Sequence, residues 1–219
     1  MELSVVIPTL NAAHELRTAL AALGTVAECI VADGGSTDGT PAIAKAAGCR
    51  VVTSPRGRGQ QLAAGIDAAT KPWLLLLHAD TRLDPGWRVE AEAHVRDHPS
   101  QAAYFHFALD SADPRARGLE RLVAWRCRVL ALPYGDQGLL LHRDTLRLAG
   151  GINPIPLMED VDLIRRLGRS RLRALNTRAV TSAVKWERDG WYVRSLRNLL
   201  CLALWLLGVP PARIIRLYR

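Results

Sequence analysis

Apolar residues in the first third of this chain fall into short runs separated by helical stripes. Ser4-Val-Val-Ile7, Glu28-Cys-Ile-Val-Ala32, Arg50-Val-Val-Thr53 and Lys71 to Leu77 are brief, β-branched or leucine-rich, and read as strands. Between them, Ala12 to Leu23, a segment opening at Pro41, and Gln60 to Thr70 carry helical spacing. Asn11 and Thr40 stand where N-caps belong, and Pro41 suits a first helical position. Regular strand–helix alternation predicts a mainly parallel central sheet flanked by helices, built with right-handed crossovers.

The second half is less regular. Trp87 to Asp97, Gly118 to Leu132, Thr145 to Ala149 and Met158 to Leu167 read as helical, whereas Ala103 to Leu109, Gly138 to His142 and Arg173 to Thr181 read as strands. The tail differs again. Leu196, Leu199, Leu200, Ala203, Leu204 and Leu207 repeat at helical spacing, but the uninterrupted apolar run, Leu199 to Val209, is shorter than the ~20 residues that cross a bilayer. Arg194 and Arg197 precede the run; Arg213, Arg216 and Arg219 follow it. This C-terminal apolar amphipathic helix has three open readings: packing on the core, a homodimer contact, or a membrane-surface contact. The expected division is a catalytic domain over residues 1–189 and a helical tail over 190–219.

Composition narrows the partners. The chain has 219 residues, enough for one domain with a full core. Its formal net charge is +8, and all but Lys45, Lys71 and Lys185 of its 29 basic residues are arginines, whose forks suit phosphate. Aromatics are scarce and no basic-aromatic signature is present, so nucleic acid is not expected as a partner. Cys29, Cys49, Cys127 and Cys201 lack Cys-x-x-Cys spacing and read as free thiols. The N-terminus opens directly into a strand. A cytoplasmic location is the expectation, with peripheral contact on the inner face of the membrane if the tail binds lipid.

Three polar clusters follow predicted strand ends, where open α/β sheets bind ligands. In Asp33-Gly-Gly-Ser-Thr-Asp38-Gly39 the glycines permit close backbone approach, and Asp33 at the strand mouth can read a base N–H; both aspartates also suit simple turns. In His78-Ala-Asp80, strand alternation turns both potential metal ligands to one side. In Glu159-Asp160-Val-Asp162, carboxylates open a helix, and Asp160 is placed to serve as a general base, with Glu159 a cap or part of the wall.

The order of these segments carries a resemblance. Ser4-Val-Val-Ile-Pro-Thr-Leu-Asn11, then Val31-Ala-Asp-Gly-Gly-Ser-Thr-Asp-Gly-Thr40, then the acidic step after an apolar strand, then Glu159-Asp160, together resemble the family 2 glycosyltransferases, which have the GT-A fold. Leu77-His-Ala-Asp-Thr-Arg-Leu83, Gly135-Asp-Gln-Gly138 and Trp186-Glu-Arg188 resemble a compact bacterial branch of that family. The resemblance implies a nucleotide pocket lined by Pro8 and Thr9, base contact by Asp33 with Asp38 nearby, Mn²⁺ or Mg²⁺ held at Asp80, and Asp160 as catalytic base. It also implies a donor-sugar or acceptor wall including Asp136 and Gln137, with Trp186 and Arg188 close to it.

Two departures stand out. His78 replaces the first acid of the family's Asp-x-Asp motif; its imidazole either ligates the metal, tilting it toward Mn²⁺, or hydrogen-bonds the ribose or a water. Gln60-Gln61 stands where many relatives have Arg-Asn, leaving Arg56 and Arg58 to meet the phosphates. The implied reaction moves a sugar from a UDP- or GDP-type donor to an acceptor hydroxyl with inversion. A sugar nucleotidyltransferase and a non-catalytic nucleotide-binding protein are the alternatives. Pro8-Thr-Leu-Asn11 lacks the Gly-rich basic loop expected of the former.

Overall fold

A computed structural model describes residues 1–218; Arg219 lies outside the described residues. The N-terminal half follows the predicted alternation. β1 (Leu3–Thr9), β2 (Glu28–Asp33), β3 (Arg50–Thr53) and β4 (Trp73–Leu76) are all parallel, and α1 (Ala13–Leu23), α2 (Thr40–Ala46) and α3 (Arg58–Ala68) cross between them. β1 is buried along its full length, and Leu74 and Leu75 are fully buried, as strands covered on both faces require.

The remaining elements are β5 (Thr81–Leu83), α4 (Trp87–Asp97), β6 (Ala102–Asp110), α5 (Pro114–Leu130), β7 (Leu139–His142), α6 (Arg143–Leu148), α7 (Glu159–Leu167), β8 (Leu172–Ser182), α8 (Val184–Asp189), α9 (Trp191–Leu206) and α10 (Pro211–Tyr218). One eight-stranded sheet runs β3-β2-β1-β4-β7-β6-β8-β5. β7 enters antiparallel to both β4 and β6, and β5 pairs antiparallel with β8. The sheet is therefore parallel in its first half and mixed in its second. Periodicity marks a strand but says nothing of the direction of its neighbour.

Several boundaries move for local reasons. Asn11 does not cap α1. Its backbone is left-handed (φ 50°), and its side chain instead accepts from the Thr37 N–H at 2.8 Å. Thr40 is the first residue of α2 rather than its cap; its hydroxyl is hydrogen-bonded to Asp38 and accepts from the Ala12 N–H. α5 begins four residues before Gly118, because Asp113 accepts from the Arg115 N–H at 2.8 Å and Pro114 takes the first position.

The tail is two helices, broken at Gly208 (φ 84°) and Pro210-Pro211. Its inner side packs on the segment leading into α7: Cys201, Leu202 and Ile214 join Leu157, Met158 and Val161 in one buried cluster.

Candidate active site

The carboxyl ends of β1 and β4 and the start of α3 open into a cleft of about 550 Å³, lined by Pro8, Thr9, Arg56, Arg58, His78 and Asp80 among others. A smaller cavity of about 90 Å³ continues from it, lined by Arg58, His78, Asp80, Asp136, Asp160 and Lys185, with Trp186, Arg194, Asn198 and Tyr218 completing the wall. His78, Asp80, Arg58 and Lys185 belong to both, and so mark the junction.

β4 ends at Leu76, before the residues that matter. The strand alternation expected to turn His78 and Asp80 to one side is thus absent. A turn does the same work: Thr81 N–H donates to the His78 carbonyl, and the chain bends so that both side chains meet the cavity. Asp160 comes from the first turn of α7 and is anchored twice, accepting from Gly135 N–H at 2.7 Å and Val161 N–H at 2.8 Å. A Cβ on Gly135 would lie 2.6 Å from His78 Nε2 and 3.2 Å from Asp160 Oδ2, so only glycine lets these two side chains share that corner.

Charge is tightly matched here. Burial disfavours the ionised carboxyl of Asp80, but Lys185, 2.9 Å away, together with His78 and Arg58, outweighs it and holds the group below the usual carboxylate range. Burial likewise opposes ionisation of Asp160, and Arg58 with the Gly135 N–H overrides it. Asp160 is therefore a charged acceptor at neutral pH, as a base must be. Burial, then Arg58, pushes His78 down to about 4, leaving a neutral imidazole able to offer a lone pair. Burial pushes Asp136 up to about 6, and its Oδ1 has no hydrogen-bond partner.

Arg58 is not the solvated loop arginine its flanking glycines suggest. It opens α3, lies half-buried, and forms an ion pair with the fully buried Glu159. Glu159 thereby positions Arg58 and does not reach the small cavity. Gln137 is also absent from that wall. It is 1% exposed, and its amide donates to the Phe105 carbonyl and accepts from Tyr134 N–H, pinning the one-turn helix Gly135–Gln137. Arg188 turns away to Asp189 at 2.8 Å, while Trp186 does line the cavity.

Asp33 is 4% exposed at the end of β2. Its oxygens accept from the hydroxyls of Thr9 and Ser36 and from the N–H groups of Gly35 and Ser36, so the carboxylate is occupied in shaping its own loop. Asp38 accepts from Ala13 N–H and the Thr40 hydroxyl, tying that loop to α1. Neither lines the cleft.

Lys185 escaped the sequence reading: it follows an unremarkable Thr-Ser-Ala-Val, and no spacing ties it to Asp80. Gln61 did as well. Its amide donates to the carbonyls of Thr9 and Ala32, joining the ends of β1 and β2 beneath the cleft.

Protein donors for a divalent cation are few. Among the described residues no three His, Cys, Asp or Glu side chains gather closely enough to hold a metal ion by themselves. Asp80 and neutral His78 offer one hard oxygen and one imidazole nitrogen, which fits a cation that takes its other ligands from a diphosphate.

Comparison with known proteins agrees with this architecture. The profile of glycosyl transferase family 2 matches residues 4–149. Uncharacterized glycosyltransferases of Mycobacterium tuberculosis and Mycobacterium bovis are 39% identical over 84 residues, which is 38% of this chain and 38% of theirs. Glucosyl-3-phosphoglycerate synthase from M. tuberculosis, solved with Mn²⁺, UDP and glucosyl-3-phosphoglycerate, superposes with a TM-score of 0.59 at 22% identity, over 80% of this chain and 69% of that one. Staphylococcus aureus TarS with UDP-GlcNAc gives 0.65 at 16% identity, over 83% and 58%. The curled mixed sheet with its rim cleft is the GT-A architecture. The chain belongs to glycosyl transferase family 2.

Proposed function

We propose that the protein transfers a sugar from a nucleoside-diphosphate donor to an acceptor hydroxyl. One observation carries this reading: Asp80, His78 and Asp160 converge on a small cavity that continues from a cleft lined by Pro8 and Thr9. The nucleoside lies in the cleft, and the diphosphate crosses the junction where Arg58 and Lys185 supply positive charge. Arg56, exposed on the cleft rim, adds to it.

Asp80 and His78 would hold Mn²⁺ or Mg²⁺, which when bound would supply charge neutralisation to the departing diphosphate. Mn²⁺ with UDP in the glucosyl-3-phosphoglycerate synthase complex, and UDP-GlcNAc in TarS, support a UDP-type donor. Asp160, ionised and fixed by two backbone N–H groups, takes the proton from the acceptor hydroxyl as that oxygen attacks the anomeric carbon. A single base is enough for inversion, and holding both partners in the same small cavity lowers the entropic barrier. Asp136, mostly protonated in mild acid, can donate a hydrogen bond to a sugar oxygen in the same cavity. Residues 1–189 form the catalytic unit, and the helices within 190–218 a cover that contributes to its wall.

The test is a screen of UDP- and GDP-sugars for transfer or hydrolysis with Mn²⁺ and Mg²⁺ in parallel. Asp160→Asn, which preserves the acceptor atom for Gly135 N–H, should lower kcat by roughly 10²–10⁴ with little change in donor KM. Undiminished kcat in that variant would refute the assignment.

A further inference from the structure

The outer face of α9 has no part in the chemistry above. Tyr192, Val193, Leu196, Leu199, Leu200 and Leu207 point away from the core, and each is at least 48% exposed. Trp191, Arg194, Cys201 and Leu202 point inward. The helix is thus apolar on its outward side, and a helix apolar nearly all round is normally covered. α5 runs beside it. Ala116 and Val123 share a buried cluster with Trp191, and Leu132, just past the end of α5, packs with Cys201 and Leu202. Leu122, Trp125 and Val129 on the outward side of α5 are also exposed. Most of the exposed large hydrophobic residues of the molecule fall on these two neighbouring helices. Soluble monomers rarely leave so extended an apolar surface to water.

Arginine predominates around this face, and the acidic residues nearest it, Glu120 on α5 and Asp189 before α9, are already paired with Arg117 and with Arg194 and Arg197. Arg121 and Arg128 flank the α5 stripe, and Arg213 and Arg216 stand on α10; all four are exposed. No Asp or Glu occurs from Trp191 to Arg219. A second copy docking here would set arginine rim against arginine rim. A surface of phosphodiester headgroups over acyl chains complements both the rim and the stripe. α9 has 16 residues, about 24 Å of helix, and no helix among the described residues is long and apolar enough to cross a membrane, so the geometry is that of lying on a bilayer.

We propose that α5 and α9 together form a docking face for an anionic phospholipid bilayer. The inner side of α9 gives Arg194 and Asn198 to the wall of the Asp160 cavity. Docking therefore sets that cavity at headgroup depth, and the acceptor hydroxyl it serves is lipid-borne. The acceptor statement rests on the transferase reading; the docking statement does not.

The experiment is flotation of the full chain with phosphatidylcholine vesicles, with and without phosphatidylglycerol, in the absence of nucleotide. The protein should float with the anionic vesicles and be released by high salt. Leu196→Asp/Leu200→Asp should abolish flotation with an unchanged melting temperature. Arg121→Ala/Arg128→Ala should weaken binding by roughly thirtyfold, at ~1 kcal/mol for each of the two arginines near the surface. Flotation unaffected by either pair, or no binding to anionic vesicles at low salt, overturns the proposal. So does a wild-type dimer that the aspartate pair converts to monomer, because the face then belongs to a second copy. Donor-sugar hydrolysis in detergent-free buffer reads the transferase separately, and the aspartate pair should leave it unchanged.

Discussion

Lys185 Nζ stands 2.9 Å from Asp80 Oδ2, although the two residues are 105 positions apart in the chain. Asp80 raises the pKa of the lysine despite its burial, and the lysine lowers that of Asp80. The ammonium and a divalent cation would seek the same carboxylate. Lys185 thus neutralises Asp80, and a cation bound at Asp80 would leave it to face phosphate oxygens.

Replacing Lys185 with Met separates these roles. Without nucleotide, the variant should bind Mn²⁺ roughly tenfold tighter, since a few kcal/mol at most of partly buried repulsion is removed. Its KM for the nucleotide sugar should rise by a similar factor. Calorimetric titration of Mn²⁺ with and without nucleoside diphosphate reads the first, and steady-state kinetics the second. Unchanged Mn²⁺ affinity would show that the lysine does not compete for Asp80.

Asp136 links the cavity to stability. Its folded-state value near 6 lies above that of the unfolded carboxyl, so the folded protein binds the proton more tightly. The resulting stabilisation is present below about pH 4 and is lost as pH rises through about 6. Asp136→Asn, which removes this titration, should therefore gain stability relative to wild type at pH 7 but not at pH 4, by at most ~3 kcal/mol. Urea unfolding at the two pH values measures it. His78 contributes the opposite slope, because its depressed value near 4 favours the folded state above about pH 6.5 and is lost on acidification. Comparing variant with wild type cancels that term.

Much of this arrangement was legible in the sequence, and the part that was not has physical causes. β1 to β4 and their helices follow from buried runs and helical spacing, because each βαβ unit is local, although the two expected caps, Asn11 and Thr40, are used otherwise. Asp80, His78 and Asp160 were identifiable as acidic or ligand residues following apolar segments. The antiparallel entry of β7, the Lys185–Asp80 contact and the Arg58–Glu159 pair depend on segments that meet only in the folded chain. Gln137 looked like a wall residue because it adjoins Asp136, yet two residues in succession on a tight turn point to different sides. Asp33 was placed correctly at the strand mouth, but the hydroxyls and N–H groups that occupy its oxygens are a feature of loop geometry.

Gly135 is the corner on which the site turns. Its backbone N–H holds Asp160, and its missing side chain leaves room for His78 Nε2. Gly135→Ala introduces a methyl into a space 2.6 Å from that nitrogen. The cost in stability should be about 1–3 kcal/mol, in the range for overpacking. Turnover should fall much further than stability, because the displaced groups are Asp160 and His78, the proposed base and metal ligand. Thermal unfolding and kcat measured on the same preparation distinguish this from general misfolding.

Glu159 is 0% exposed and has Arg58 as its ion-pair partner, so the pair tests how far positioning and folding can be separated. Burial raises the pKa of Glu159, and Arg58 offsets only part of that rise. Arg58→Met would leave that carboxyl without its counter-charge and should destabilise the protein by about 3–5 kcal/mol, the usual cost of breaking a buried pair from one side. Arg58→Met/Glu159→Gln removes both charges and should recover most of that loss. Donor binding should not recover, since Arg58 also lines the cleft and the cavity beyond it. Urea unfolding of the two single variants and the double variant gives the coupling energy, and donor KM for the same proteins shows whether Arg58 acts on the nucleotide. If the double variant regains normal donor affinity, Arg58 serves only to neutralise Glu159.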